Sequence, residues 1–328
     1  MVLAGLCLFV ACAERPSGDE AVGLNPIRIA FHRSPGSASA LLAQDKRFFA
    51  SRGLDVQLMA MSGIRAPYRA FLRGDVDACF AVLSDVVIDG NLPRRGRIVW
   101  VSDYSTAEHA IVGDPSMGSL ADLKGKTVGH LGLNTFSHFF VLQSLRHAGL
   151  KELDVQYQVL AEPRLIQGED LEGVEALHVW GDSKWSALKR GYKVLASGAE
   201  TPGLIANVLV VSAELIDDQE DVVEEIILAL MEGVESIIDA PEESLSAIAA
   251  ELDLSSGALQ ARLEEIKLLD LGGNVHAFQS LPEMTCLPHA IVTVGQFYKD
   301  RGQLSALPRV ETLVEPKYIE KLAYLGGR

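Results

Sequence analysis

Some spacings in a sequence announce a chemistry by themselves, and this chain carries none of them. Neither GxGxxG nor GxxxxGK[ST] occurs, and the glycines at 125, 129 and 132 are too widely spaced to cradle a phosphate. HExxH, paired CxxC and GxSxG are absent too, so neither a zinc centre nor a serine nucleophile elbow is predicted. What recurs is a set of small polar, aromatic and acidic residues placed directly after apolar runs. That is the inventory of a binding cleft rather than of a catalyst, and no cofactor or metal is expected.

His32, Arg33, Ser34 and Ser37 follow the run Ile27–Phe31, and Ser84 and Asp85 follow Val76–Leu83. Asn134, Thr135, Phe136 and Ser137 follow Thr127–Leu131, Trp180 and Asp182 stand at and after the end of Glu175–Trp180, and Asn207 precedes Val208–Val211. Hydroxyls and free N–H groups at helix starts suit an anion or a carbonyl, although Ser37 and Ser137 serve equally well as caps. Trp180 offers a flat apolar face and one donor; Phe136 can stack on a ligand or belong to the core. Asp85 and Asp182 suit an amine or amidine if paired, and otherwise cap the next helix. His32 and His178 read first as structural histidines, with His32 also facing the ligand set. Arg33 and Arg65 can clamp a sulfonate or carboxylate, or simply be solvated. Cys79 and Cys286 behave as small apolar residues, and a bond between them is left open.

The elements that would position these groups alternate. Ile27–Phe31, Leu54–Ala60 and Val76–Leu83 are strand-like, separated by helical stretches over 38–51 and 65–73. Ile98–Ser102, Ala110–Gly113, Thr127–Leu131, Val155–Leu160, Glu175–Trp180, Tyr192–Ala196 and Val208–Val211 continue the series. Alternation of this kind predicts mainly parallel sheets with helices on both faces. The last third is helical: Val222, Val223, Ile226, Ile227, Leu230, Val234, Ile237 and Ile238 form one apolar stripe ended by Pro241. Helices over 256–268 and 288–301 follow, with a loop at Gly272–Asn274.

Four phrases carry a family resemblance. They are Ser119-Leu-Ala-Asp-Leu-Lys-Gly-Lys-Thr-Val128 with a following helix ending in His147-Ala-Gly-Leu150, Phe71-Leu-Arg-Gly-Asp-Val-Asp-Ala78, His178-Val-Trp-Gly-Asp182 and Pro316–Leu322. In this order, over Ile27 to Leu322, the chain resembles the substrate-binding proteins of ABC transporters, in the group with sulfonate, taurine, nitrate and thiamine-precursor binders. The resemblance implies an α/β, two-lobed periplasmic-binding-protein fold with a two-segment hinge. Residues 26–113 with 206–328 would form one lobe and 114–205 the other. It further implies a monomer that closes on a small molecule and delivers it to an ABC permease in the inner membrane. The alternatives are an enzyme on the same fold, of the thiamine-pyrimidine or menaquinone-pathway type, or a ligand-sensing module.

Composition agrees with export and with two cores. The 328 residues are 48% hydrophobic and carry a formal net charge of −15, which excludes an extended nucleic-acid-binding face. Val2–Ala13 is apolar and too short to span a bilayer, and it breaks into Glu14–Glu20. Leu8-Phe-Val-Ala-Cys12 resembles a bacterial lipoprotein signal, so residues 1–25 read as signal and tether. Cys12 would be the lipidated residue, at the outer face of the cell membrane or in the periplasm; a plain secretory signal is the alternative.

Overall fold

The computed structural model describes residues 26–89, 92–160 and 173–326; the expected signal and tether, with Cys12, lie outside them. Eleven strands build two sheets among the described residues. In chain order they are β1 (Ile27–His32), β2 (Val56–Met61), β3 (Ala78–Val82), β4 (Gly96–Ser105), β5 (Ala110–Gly113) and β6 (Thr127–His130). They continue with β7 (Gln156–Val159), β8 (Ala176–Val179), β9 (Lys193–Ser197), β10 (Ala206–Ser212) and β11 (Ile266–Leu268). The first sheet has the order β11-β4-β10-β3-β1-β2, and the second β7-β6-β8-β5-β9.

Both sheets are mixed, with most strands of each running in one direction, as expected, and antiparallel strands added. Strand β1 pairs in parallel with β2 and β3, and β6 with β7 and β8; the helices Ala38–Asp45 and Phe136–His147 serve as the crossovers that parallel pairing needs, between β1 and β2 and between β6 and β7. The exceptions are the strands beside the connections between sheets. β10 returns antiparallel between β3 and β4, and β5 enters antiparallel between β8 and β9. The chain leaves the first sheet after Ser105 and re-enters it at Ala206, so residues 110–113, assigned from the sequence to the first lobe, hydrogen-bond within the second sheet.

Several local expectations need correction. The stretch 38–51 is two helices, Ala38–Asp45 and Phe48–Ser51, broken where Arg47 takes φ 62°. Gly272–Asn274 lies inside the helix Leu271–Ala277, capped by Asp270, which accepts the Gly273 N–H at 2.7 Å. The end of the expected helix 256–268 is instead β11, an edge strand on β4. Pro241 ends one helix by starting the next, Pro241–Ile248, since proline fits a first helical turn.

The apolar stripe is buried along most of its length, but its end is not, since Ile238 is exposed. In the helix Glu220–Asp239, Val223, Ile226, Ile227, Leu230 and Val234 are buried. It packs on Ala38–Asp45 so closely that a Cβ on Gly233 would sit 2.2 Å from the Ser39 carbonyl oxygen. Cys79 and Cys286 are buried free thiols. No helix among the described residues is long and apolar enough to cross a membrane.

Candidate functional site

Parallel strands end on one side of each sheet, and the loops after them meet in a crevice between the two sheets. A cavity of ≈ 670 Å³ lies there, a size suited to a small organic molecule. The first sheet contributes His32 to Ser37 after β1, Met61 to Ile64 at the end of β2, and Ser102, Asp103 and Asn207 from β4 and β10. The second contributes Trp180, Gly181 and Asp182 after β8. Glu108 and His109 come from the connection between the sheets.

Trp180 is held as a platform. Its ring stacks on His109 at 5.6 Å between centroids and meets the edge of the fully buried Phe136 at 5.3 Å. Behind it runs a neutral hydrogen-bond chain. The Leu131 N–H donates to Ser137 Oγ at 3.0 Å, Ser137 Oγ lies 2.7 Å from His178 Nδ1, and His178 Nε2 lies 3.3 Å from His109 Nδ1. Burial keeps both rings uncharged, lowering His109 to about 3 and His178 well below the usual imidazole range. Ser137 has one acceptor for its proton, His178 Nδ1, so the chain is oriented outward from the serine. In that tautomer His109 carries its N–H on Nε2, where it would donate to a ligand.

Two carboxyl groups lie deep in the crevice. Asp103 is fully buried and accepts from Asn207 Nδ2 at 2.9 Å, while its Oδ2 has no partner. Burial pushes it up to about 6, against the hydrogen bond from Asn207. Glu108, also buried, makes no side-chain hydrogen bond among the described residues; desolvation and the charge of Asp103 push it up to about 8. The backbone of Gly36 approaches Asp103 so closely that a Cβ there would sit 2.1 Å from Oδ2. At the rim the arginines are already engaged. Arg262 pairs with Asp182 across the crevice, and Arg33 Nε donates to the Glu251 carbonyl at 3.0 Å and faces Asp253 at 3.9 Å.

Of the residues expected from the sequence, the structure brings together His32, Ser34, Ser37, Trp180, Asp182 and Asn207. Ser37 spends its hydroxyl on the Ser34 carbonyl at 2.7 Å. Burial lowers the pKa of His32. Ser84 and Asp85 do not line the cavity, because the chain turns directly from β3 into the helix Leu83–Ile88, which packs on the helix Leu287–Asp300. There Asp85 pairs with Arg65 Nε at 3.1 Å, and burial pushes it up to about 6. Asn134, Thr135, Phe136 and Ser137 are also outside the lining. Strand β6 is separated from the crevice by β8, so its loop caps its own helix: Thr135 Oγ1 donates to the Gly132 carbonyl at 2.7 Å and accepts the His138 N–H at 3.4 Å. Phe136 and Ser137 act from behind, on Trp180 and His178.

Asp103, Glu108, His109 and Arg262 were missed. Asp103 follows the run Ile98–Ser102 by the same rule that singled out Asp85 and Asp182, so a signal existed. Glu108 and His109 sit between two strands with nothing in their spacing to mark them.

Two α/β units with a ligand-sized crevice between them, joined by two connections, define the periplasmic-binding-protein fold. A family model described as NMT1/THI5 like matches residues 34–244, and the chain belongs to that family. No curated protein matches the sequence. Among solved structures, it is similar to the periplasmic aliphatic sulphonate binding protein SsuA from Escherichia coli (17% identity, TM-score 0.69, covering 89% of this chain and 92% of that one). It is also similar to the ligand-binding component of an ABC-type import system from Staphylococcus aureus, solved with zinc bound (14% identity, TM-score 0.72, covering 90% and 98%). The desulfurization enzyme DSZB has the fold too (14% identity, TM-score 0.66, covering 92% and 99%).

Proposed function

We propose that the protein is the extracytoplasmic ligand-binding component of an ABC importer and that its ligand carries a nitrogenous, cationic or heteroaromatic group. The observation that carries the ligand class is the acidic lining of the crevice. Its lining holds four acidic side chains, Asp103, Glu108, Asp182 and Asp253, against two arginines, Arg33 and Arg262, both of which face acidic partners. A sulfonate or carboxylate would meet buried carboxyl groups and no free cation among the described lining residues. A flat amine would meet the Trp180 ring, an acceptor at Glu108 and the donor on His109.

The two lobes, one around each sheet, would close on this ligand through the connections at 106–109 and 198–205. A ligand touching both favours the closed state by its differential affinity. Delivery to an inner-membrane permease is part of this reading, supported by the likeness to an ABC-type import component. Cys12 would tether the mature chain to the membrane; loss of lipid labelling on Cys12→Ser is the expected result, and retained labelling would contradict the anchor.

An enzyme is the second reading, since DSZB has the same fold. Nucleophilic catalysis needs a hydroxyl or thiol within reach of a base. Here the cavity serines with assigned side-chain bonds, Ser37 and Ser102, donate to backbone carbonyls, Ser102 to Gly36 at 2.7 Å. The binding reading is therefore preferred.

The pH dependence of binding tests it. A bound cation favours ionised Glu108, so binding expels its proton; affinity for an amine should rise as pH increases from about 6 towards 8, by up to tenfold per unit for one proton. Glu108→Gln should flatten that slope. A slope of opposite sign in the wild-type protein would contradict the proposal.

A further inference from the structure

Away from the crevice, a thiol, an imidazole and a carboxylate converge on one point. His276 Nε2 lies 3.3 Å from Glu283 Oε2 and 3.7 Å from Cys286 Sγ, and the three ligand atoms all fall within 4.8 Å of one another. Thr285 Oγ1 is a fourth neighbour of the same nitrogen, at 3.2 Å. Part of the set satisfies itself, Thr285 Oγ1 donating to Glu283 Oε2 and Cys286 Sγ to the His276 carbonyl, each at 3.3 Å. A metal ion can bind the imidazole, the carboxylate and the sulfur together.

The two distances to the imidazole match one geometry. Zinc binds imidazole, carboxylate and thiolate at about 2.0, 2.1 and 2.3 Å, so a tetrahedral centre places N and O about 3.4 Å apart and N and S about 3.6 Å apart. The two observed edges fit these within a few tenths of an ångström, before any metal draws the set together. The donor set, one soft thiolate with imidazole and carboxylate, is that of a borderline ion such as Zn²⁺ rather than of Mg²⁺ or Ca²⁺.

The site is also built on rigid elements. His276 stands at the end of the helix Leu271–Ala277, which the buried Asn274 fixes to β4: the Val101 N–H donates to its Oδ1 at 2.7 Å, and its Nδ2 donates to the Val101 carbonyl at 3.0 Å. Cys286 is buried at the N-cap of the helix Leu287–Asp300; burial holds it as a thiol whose Sγ donates to the His276 carbonyl at 3.3 Å, a proton that a bound metal ion would displace. The loop between them is pinned by the Tyr104 hydroxyl, which donates to the Thr285 carbonyl at 2.5 Å. Its Met284 carbonyl rests on Gly203 of the return connection, where a Cβ would sit 2.4 Å away.

We infer that His276, Glu283 and Cys286 form a Zn²⁺ site, with water in the fourth position, that ties the two helices together beside the second connection between the sheets. The spacing His276-x6-Glu283-x2-Cys286 matches no familiar zinc motif, which is why no metal was expected from the sequence.

Zn²⁺ titrated into the full chain against a chromophoric chelator, with Co²⁺ as a spectroscopic substitute, tests this. One ion per chain and a thiolate-to-Co²⁺ charge-transfer band are expected. Cys286→Ala should abolish the band and weaken Zn²⁺ by about 100-fold or more, and the largely solvent-facing Glu283→Gln should weaken it by about tenfold while keeping the band. The wild-type chain failing to bind stoichiometric Zn²⁺ would overturn the proposal, as would a band that survives Cys286→Ala. If Cys286→Ala does not fold, Glu283→Gln decides, since unchanged Zn²⁺ affinity in that variant rules out its carboxylate as a ligand.

Discussion

Replacing Lys184 by methionine is expected to destabilise the folded protein by about 3–5 kcal/mol, the cost of stranding one partner of a buried ion pair. Lys184 is only 4% exposed, and its Nζ donates to Glu265 Oε1 at 2.5 Å and to the Ala107 carbonyl at 2.7 Å. Glu265 is the hub of the first connection between the sheets: its own carbonyl accepts the N–H groups of Thr106, Ala107 and Glu108 at 2.8 to 3.0 Å. Without the ammonium, a mostly buried carboxylate whose Oε2 already has no partner is left uncompensated. The double change Lys184→Met with Glu265→Leu removes both charges and should recover most of the loss, because an apolar pair of similar size needs no desolvation of ions. Urea denaturation of the parent, single and double variants checks this. A single-variant loss below about 1 kcal/mol would mean that the pair is solvated in solution.

The second large effect falls on binding. Trp180→Ala should weaken any bound ligand by tenfold or more, since a large aromatic platform contributes roughly 1.5–3 kcal/mol through the area it covers. The loss is not confined to the ring itself. Trp180 is stacked on His109 and buttressed by Phe136, so truncation also frees the imidazole that would donate to the ligand. Glu108→Gln should behave differently, weakening cationic ligands while sparing neutral ones, because it keeps shape and hydrogen bonding and removes only the capacity to ionise. Equal loss across ligand charges in Glu108→Gln would show that the residue acts through packing alone.

Strand positions were legible because apolar runs are a local property: β1, β5, β6, β8 and β9 lie within a residue or two of where the sequence put them. Strand direction was legible only in part. The antiparallel entry of β5 and return of β10 depend on how the chain passes between sheets, and β11, three residues long, was absorbed into a neighbouring helical pattern. The same limit governs the site. Asp85, Asp103 and Asp182 obey one rule, an acid after an apolar run, yet their fates differ. Asp182 reaches the crevice because β8 borders it, and Asp103 because the long β4 ends there. Asp85 is carried off by an immediate helix to Arg65. Residues 134–137 were displaced by strand order, which no stretch of sequence displays locally. Arg262 reaches Asp182 across 80 residues of chain, a pairing with no local signature.

The central claim is that an acidic, tryptophan-floored crevice selects a nitrogenous ligand, and titration calorimetry near pH 8 tests it most directly. A small heteroaromatic amine and an alkanesulfonate of similar size would be titrated into the same wild-type protein. Saturable binding of the amine is expected, with proton release detectable as a dependence on the buffer's ionisation heat, and no measurable heat from the sulfonate. Tight binding of the sulfonate with none of the amine would contradict it.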